Sequence, residues 1–155
     1  MFRKTLIAMS LALSGTAVMA QSTADYEVRI TNITPGQTFT PQMVVTHARN
    51  YIMFRLGSPS STALEILAEG GDTSAVIEEI GDRATDATTI GSLLPPGETA
   101  TVVVSANPET DFITVAAMMI PTNDTFMALN RVRLPRVGAG YLVPVSYTHL
   151  TLPTN

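Results

Sequence analysis

The first readable segment alternates. In Tyr26-Glu-Val-Arg-Ile-Thr31, Tyr26, Val28 and Ile30 share one face and Glu27, Arg29 and Thr31 the other, the pattern of a half-buried strand. Thr34-Pro35-Gly36-Gln37 punctuates it, and Thr38 to Thr46 resumes an extended pattern in which Pro41 suits a strand start or an edge. Residues 47–58 carry no clear period. From Ser60 the period lengthens: Leu64, Leu67 and Ala68 fall at i, i+3 and i+4, Thr62 and Glu65 stand at capping-box spacing, and Gly70-Gly71 ends the helix. Asp72 can cap a second start, with Val76, Ile77 and Ile80 as its apolar stripe and Glu78, Glu79 and Asp82 outward. Residues 82–97, rich in Asp, Thr, Gly and Pro, are predicted to form a loop. Glu98 to Ala106 alternates again through Ala100, Val102 and Val104. Phe112 to Ile120 is apolar on both faces, which predicts a central strand. Pro121-Thr-Asn-Asp124 then turns the chain, Phe126 to Leu134 reads as a strand, and Gly138-Ala-Gly140 turns into Tyr141-Leu-Val143. About six strands, with two short helices inserted between early strands, predict a mainly β fold, an antiparallel β-sandwich.

Composition narrows the picture. A chain of 155 residues with 45% apolar and 14% charged side chains is a single domain, large enough to bury a core without staples. The absence of cysteine removes disulfide frameworks, thiolate zinc sites, iron–sulfur clusters and cysteine nucleophiles together. Nine Lys+Arg against 13 Asp+Glu give a net charge of −4, the wrong sign for displacing counterions from nucleic acid.

The two ends differ from the middle. Residues 1–20 read as a signal peptide: Arg3 and Lys4, then an apolar run from Leu6 to Leu13, then small residues before the cleavage point after Ala20. That run is well short of the ~20 residues a membrane-crossing helix needs, and no other segment is long enough, so the expected localisation is secreted or periplasmic with no transmembrane anchor. Cleavage removes Arg3 and Lys4, leaving 7 arginines against 13 acids, a net charge of −6. Lys4 is the only lysine, so Schiff-base chemistry on a side-chain amine is excluded from the mature chain. At the other end, Val145-Ser-Tyr-Thr-His-Leu-Thr-Leu-Pro-Thr154 resembles one reading frame of a common transposase-type sequencing adapter. The expectation is that residues 21–144 form the domain and that 145–155 are adapter read-through rather than native sequence. A genuine C-terminal strand through Tyr147, Thr148 and Leu150 is the alternative. His149 is accordingly set aside as a functional residue.

Catalytic motifs are scarce: there is no nucleophile elbow, no paired-histidine zinc helix and no phosphate loop. His47 is a candidate base or ligand, or a histidine that packs and hydrogen-bonds locally. Arg131 and Arg133 share one strand face, with Arg136 just beyond, a basic stripe that suits an anionic glycan or carboxylate or else a solvated outer face. The turn Asn123-Asp124, with Asn130 downstream, supplies oxygens of the type calcium takes, although one carboxylate and two amides are few against its usual ~6–8 ligands. Turn chemistry alone also accounts for Asn and Asp there. Asn32-Ile-Thr34 and Asn123-Asp-Thr125 match the N-glycosylation pattern.

Several stretches carry a resemblance. Tyr26 to Gln37, Thr40-Pro41 leading to Thr46-His47, Ser61 to Asp72 with its Ala68-Glu69-Gly-Gly-Asp72, and Val115 to Phe126 together make the chain resemble the N-terminal domain of spondins, in its small secreted bacterial form. The resemblance covers most of residues 26–144 and implies a C2-like β-sandwich. It also implies an extracellular domain of the kind that binds calcium at one end and takes part in cell and matrix adhesion. Asp124 falls where such domains carry a calcium-site aspartate, while Asn130 and Asn50 replace acidic positions. Taken together, the expected function is an exported, non-enzymatic binding or adhesion-type module of the cell envelope or extracellular space. Calcium is the only candidate cofactor, the partner is an extracellular or envelope protein or glycan, and nucleic acid is excluded. Two alternatives are a small secreted enzyme using His47 with loop carboxylates and a structural envelope protein without a small ligand.

Overall fold

A computed structural model describes residues 23–136 together with Gly138 and Gly140. The signal peptide expected at 1–20, the strand expected at 141–143 and the tail at 145–155 lie outside the described residues. In chain order the elements are β1 (Ala24–Thr31), β2 (Thr38–Phe39), β3 (Gln42–His47), α1 (Thr62–Gly70), α2 (Ser74–Ile80), β4 (Ala84–Ile90), β5 (Thr99–Ala106), β6 (Phe112–Ile120) and β7 (Phe126–Arg133). β1 and β5 form a two-stranded antiparallel ribbon in which Tyr26 faces Val104 and Val28 faces Val102. The larger sheet runs β7-β6-β3-β4, all antiparallel, with β2 alongside the far end of β6.

The larger sheet is the middle of three layers. On one face Met43, Val45, Ala116 and Ala128 meet Leu64, Leu67 and Ala68 of α1 and Val76 and Ile80 of α2. On the other, Val44, Ile113 and Val115 meet Val104 and Ala106, with Tyr26, Val28 and Val102 completing the contact. β3 is buried along its whole length and β6 along most of its own, which is why β6 is apolar on both faces and β3 carries Met43, Val44 and Val45 in succession. The result is a mainly β, two-sheet antiparallel sandwich with both helices inserted between β3 and β4.

Pro41 interrupts the strand as its missing N–H requires. The ladder to β6 shifts by one residue between Phe39↔Met119 and Met43↔Ala116. Thr40 bridges the break: its N–H donates to the Met118 carbonyl at 3.0 Å and its hydroxyl accepts from the Met118 N–H at 3.1 Å.

Two expectations need correcting. Residues 84–90, assigned to a loop within 82–97, form β4, paired in register with β3 from Gln42↔Ile90 to Thr46↔Asp86 and then, after a one-residue shift, at His47↔Ala84. Its three threonines suit a strand, and the Asp86 carboxylate, which argued for a loop, accepts the Ser105 N–H of β5 at 2.8 Å. The cap of α1 is Ser61, not Thr62: the Ser61 hydroxyl accepts from Leu64 N–H at 3.3 Å, while Glu65 accepts from the Ser60 hydroxyl. The stop signals hold. Gly71 sits in the left-handed region at φ 69° and its N–H closes onto the Leu67 carbonyl, and a Cβ there would lie 3.0 Å from the Thr40 side chain. Asp72 accepts from both the N–H and the hydroxyl of Ser74, although the cap position of α2 is Thr73, one residue later than expected.

The glycosylation pattern at Asn32 is a structural feature instead. Asn32 is fully buried; its amide nitrogen donates to the Gln37 and Leu94 carbonyls at 2.7 and 2.8 Å, and its oxygen accepts from Thr34. Asn32→Ala strands these partners, so unfolding in urea is expected to show a loss of about 2 kcal/mol with an unchanged m-value. A midpoint equal to that of the parent protein would contradict this role.

Candidate functional site

The site begins with an irregularity in β7. Phe112 pairs with Arg133 and Ile113 with Val132, but Val115 pairs with Leu129, so Asn130 and Arg131 together oppose the single residue Thr114. This is a β-bulge, and Arg131 takes a left-handed backbone at φ 54°. A bulky side chain in that region costs ~1–3 kcal/mol and persists only where its surroundings hold it. Three contacts do so. The Arg131 N–H donates to the Thr114 hydroxyl at 3.0 Å, its guanidinium lies 5.2 Å from the Phe112 ring centroid, and neighbouring Asn130 is clamped inward by Met53 N–H and the Phe54 carbonyl at 3.1 and 2.8 Å.

Thr114 is itself held. It is fully buried, as is His47, whose Nε2 lies 2.8 Å from the Thr114 hydroxyl and whose Nδ1 lies 2.9 Å from the Ala48 carbonyl. A carbonyl can only accept, which assigns the ring proton to Nδ1 and makes Nε2 the acceptor of the Thr114 O–H. The hydrogen bonds then run one way, from Arg131 N–H through Thr114 to His47 and on to Ala48. Burial holds the imidazole below the ordinary histidine value, aided by the Arg131 and Arg83 charges and opposed by the Ala48 carbonyl and the Asp111 carboxylate. The ring also meets Tyr51 edge-on at 5.1 Å.

Outside this network Arg49, Glu109, Thr110, Phe112, Arg131 and Arg133 line an open cleft of about 460 Å³. Among the described residues none of the three arginines makes an ion pair with a carboxylate, whereas Arg29 pairs with Glu27 at 2.6 Å. Arg133 donates to the Glu109 backbone carbonyl at 3.3 Å. A second cleft of about 470 Å³ shares Thr110 and includes Asp82, Arg83 and Asp111. Two of its ionic groups are committed: Asp111 accepts from the Thr85 hydroxyl, the Asn107 N–H and the Thr110 hydroxyl, and Arg83 donates to the Glu79 and Ile80 carbonyls.

The sequence-predicted residues therefore separate. Arg131 and Arg133 line one cleft, and His47 reaches Arg131 through Thr114. Asn123 and Asp124 occupy the β6–β7 turn, while Asn130 lies six residues on, ~20 Å along an extended strand, with its amide committed to the 51–54 segment. The three oxygens expected for calcium do not converge. Among the described residues no group of three His, Cys, Asp or Glu side chains is placed to share a metal ion. His47 and Asp124 sit at opposite ends of β6, since His47 pairs with Phe112 and Asp124 follows Ile120, ~26 Å away. Sequence reasoning missed Arg49, Glu109, Phe112 and Thr114. The available signal was Thr114, the lone hydroxyl in an otherwise apolar run from Ile113 to Ile120.

Fold and site together define a β-sandwich module that presents an arginine-lined cleft at one end of its central strand. A family model described as Spondin_N matches residues 21–148. The chain belongs to the spondin N-terminal domain family, whose members are typically extracellular. The match runs four residues beyond the boundary placed at Pro144. A comparison with curated proteins finds no match. Among the described residues no helix is long and apolar enough to cross a membrane.

Proposed function

We propose that the chain is an exported, non-enzymatic binding module of adhesion type, and that the cleft lined by Arg49, Arg131 and Arg133 is its binding face. The observation that carries this reading is the bulge. A strained, left-handed Arg131 is stabilised by a buried network and turned toward a cleft whose arginines lack carboxylate partners. Strain retained beside an open cleft is a mark of recognition, because packing alone gains nothing from it. The family's extracellular setting supports export. The non-enzymatic part rests on His47, which is fully buried with both ring nitrogens engaged and has no base's access to a substrate. Calcium at the Asn123-Asp124 turn is not needed for this function.

The test is a binding screen of the immobilised mature chain against extracellular proteins and glycans, with and without excess EDTA. A ligand is expected to be retained equally in both conditions, recovered chemically unchanged, and released by the triple variant Arg49→Ala, Arg131→Ala, Arg133→Ala with its melting temperature preserved. Retention by the triple variant, or conversion of the ligand to product, overturns the proposal. Loss of binding in EDTA restores the calcium reading.

A further inference from the structure

We infer that the cleft takes a carboxylate-bearing sugar, a uronic acid unit of an acidic polysaccharide. This rests on the cleft being the binding face. Three features select that chemistry. First, the side chains of Arg49 and Arg131 make no hydrogen bond among the described residues, and Arg131 lies against Phe112 with its planar fork free to engage a carboxylate through two N–H groups. Second, the cleft is mixed rather than uniformly basic. Glu109 and Thr110 lie beside the arginines; the Thr110 proton goes to Asp111, and the Glu109 carboxylate and the Thr110 oxygen are acceptors of the kind that sugar hydroxyls donate to. A bare polyanion leaves Glu109 facing like charge. A sugar carrying one carboxylate per ring satisfies both signs. Third, the mature chain has a net charge of −6, so its long-range field disfavours a densely sulfated polymer more than one with a single carboxylate per ring, while the local arginines still capture individual anionic groups. The cleft volume of about 460 Å³ falls within the ~300–1,000 Å³ of small-ligand sites.

The experiment is calorimetric titration of the mature chain with an oligogalacturonate, a neutral galactose oligomer, a sulfated galactose oligomer lacking uronate, and sodium acetate. The oligogalacturonate is expected to bind, more weakly as salt rises. Acetate is expected to compete only at much higher concentration, which separates a uronate unit from a free carboxylate as the source of the anion. Arg131→Ala should weaken oligogalacturonate binding ~10–100-fold, the loss of charge-assisted hydrogen bonds, and Arg131→Lys by less. Equal binding of the neutral or the sulfated oligomer through the same arginines overturns the uronate assignment and leaves the binding face intact. Oligogalacturonate binding that is indifferent to Arg131→Ala, Arg133→Ala and Arg49→Ala overturns both. Absence of oligogalacturonate binding while another ligand needs the arginines overturns this inference alone.

Discussion

Phe126→Ala is expected to cost ~3–5 kcal/mol in equilibrium urea unfolding, the largest effect of any single truncation considered for this domain. Phe126 opens β7, is fully buried, and meets Phe54 edge-on with ring centroids 5.7 Å apart at 81°. It belongs to the core in which Met43, Val45 and Ala116 of the sheet meet Leu64 and Leu67 of α1, so its removal opens a void that the sheet and helix layers must both collapse to fill. Phe54 loses its ring partner as well, worth a further ~0.5–1.5 kcal/mol beyond area alone. Phe126→Leu keeps most of the volume and should lose far less. Equal losses for the two variants would mean that the ring, not the space it fills, carries the stability.

Thr114→Val is the second large effect, at ~2–4 kcal/mol. The replacement is close to isosteric, so no cavity opens. The loss comes from leaving the Arg131 N–H without its acceptor and the buried His47 Nε2 without its donor, at ~1–3 kcal/mol for each unsatisfied group. Thr114→Ser keeps the hydroxyl and should recover most of it. A pH signature distinguishes this network from ordinary packing. Because burial lowers the folded-state value of His47, the unfolded chain binds the proton more readily. His47 therefore contributes stability that is complete above the unfolded value of ~6.5 and lost as pH falls through the folded value. His47→Gln should flatten this acid limb, measured as the difference between urea midpoints at pH ~7.5 and ~5. An unchanged acid limb would assign the pH dependence elsewhere.

The sequence made some of this legible and concealed the rest for identifiable reasons. β1, β6 and α1 were readable because each has one dominant period, set by which faces it buries: alternation where one side meets solvent, continuous apolarity where both sides are covered, and Leu64, Leu67 and Ala68 where a helix lies on a sheet. β4 was hidden because its polar residues serve the sheet through side chains, Asp86 to β5 and Thr89 to Thr73, and such uses leave no hydrophobic signature. The cleft was half legible. Arg131 and Arg133 stand out on one strand, whereas Arg49 and Phe112 join them only through the long-range pairing of His47 with Phe112. The bulge itself had no marker, since arginine is not a residue that advertises a left-handed backbone. The calcium candidates stand close together in a string of letters, but Asn123 and Asp124 lie in the β6–β7 turn and Asn130 lies well along β7.

At position 131 the demands of backbone and side chain point to different amino acids. Glycine there would relieve the left-handed conformation and make the bulge easier to form, and it would remove the guanidinium from Phe112 and from the cleft. A search for thermostable variants would reward that exchange, whereas selection for ligand capture would reject it. Arg131 is thus a place where fitness and foldedness trade against each other, and the trade is written into a single dihedral angle.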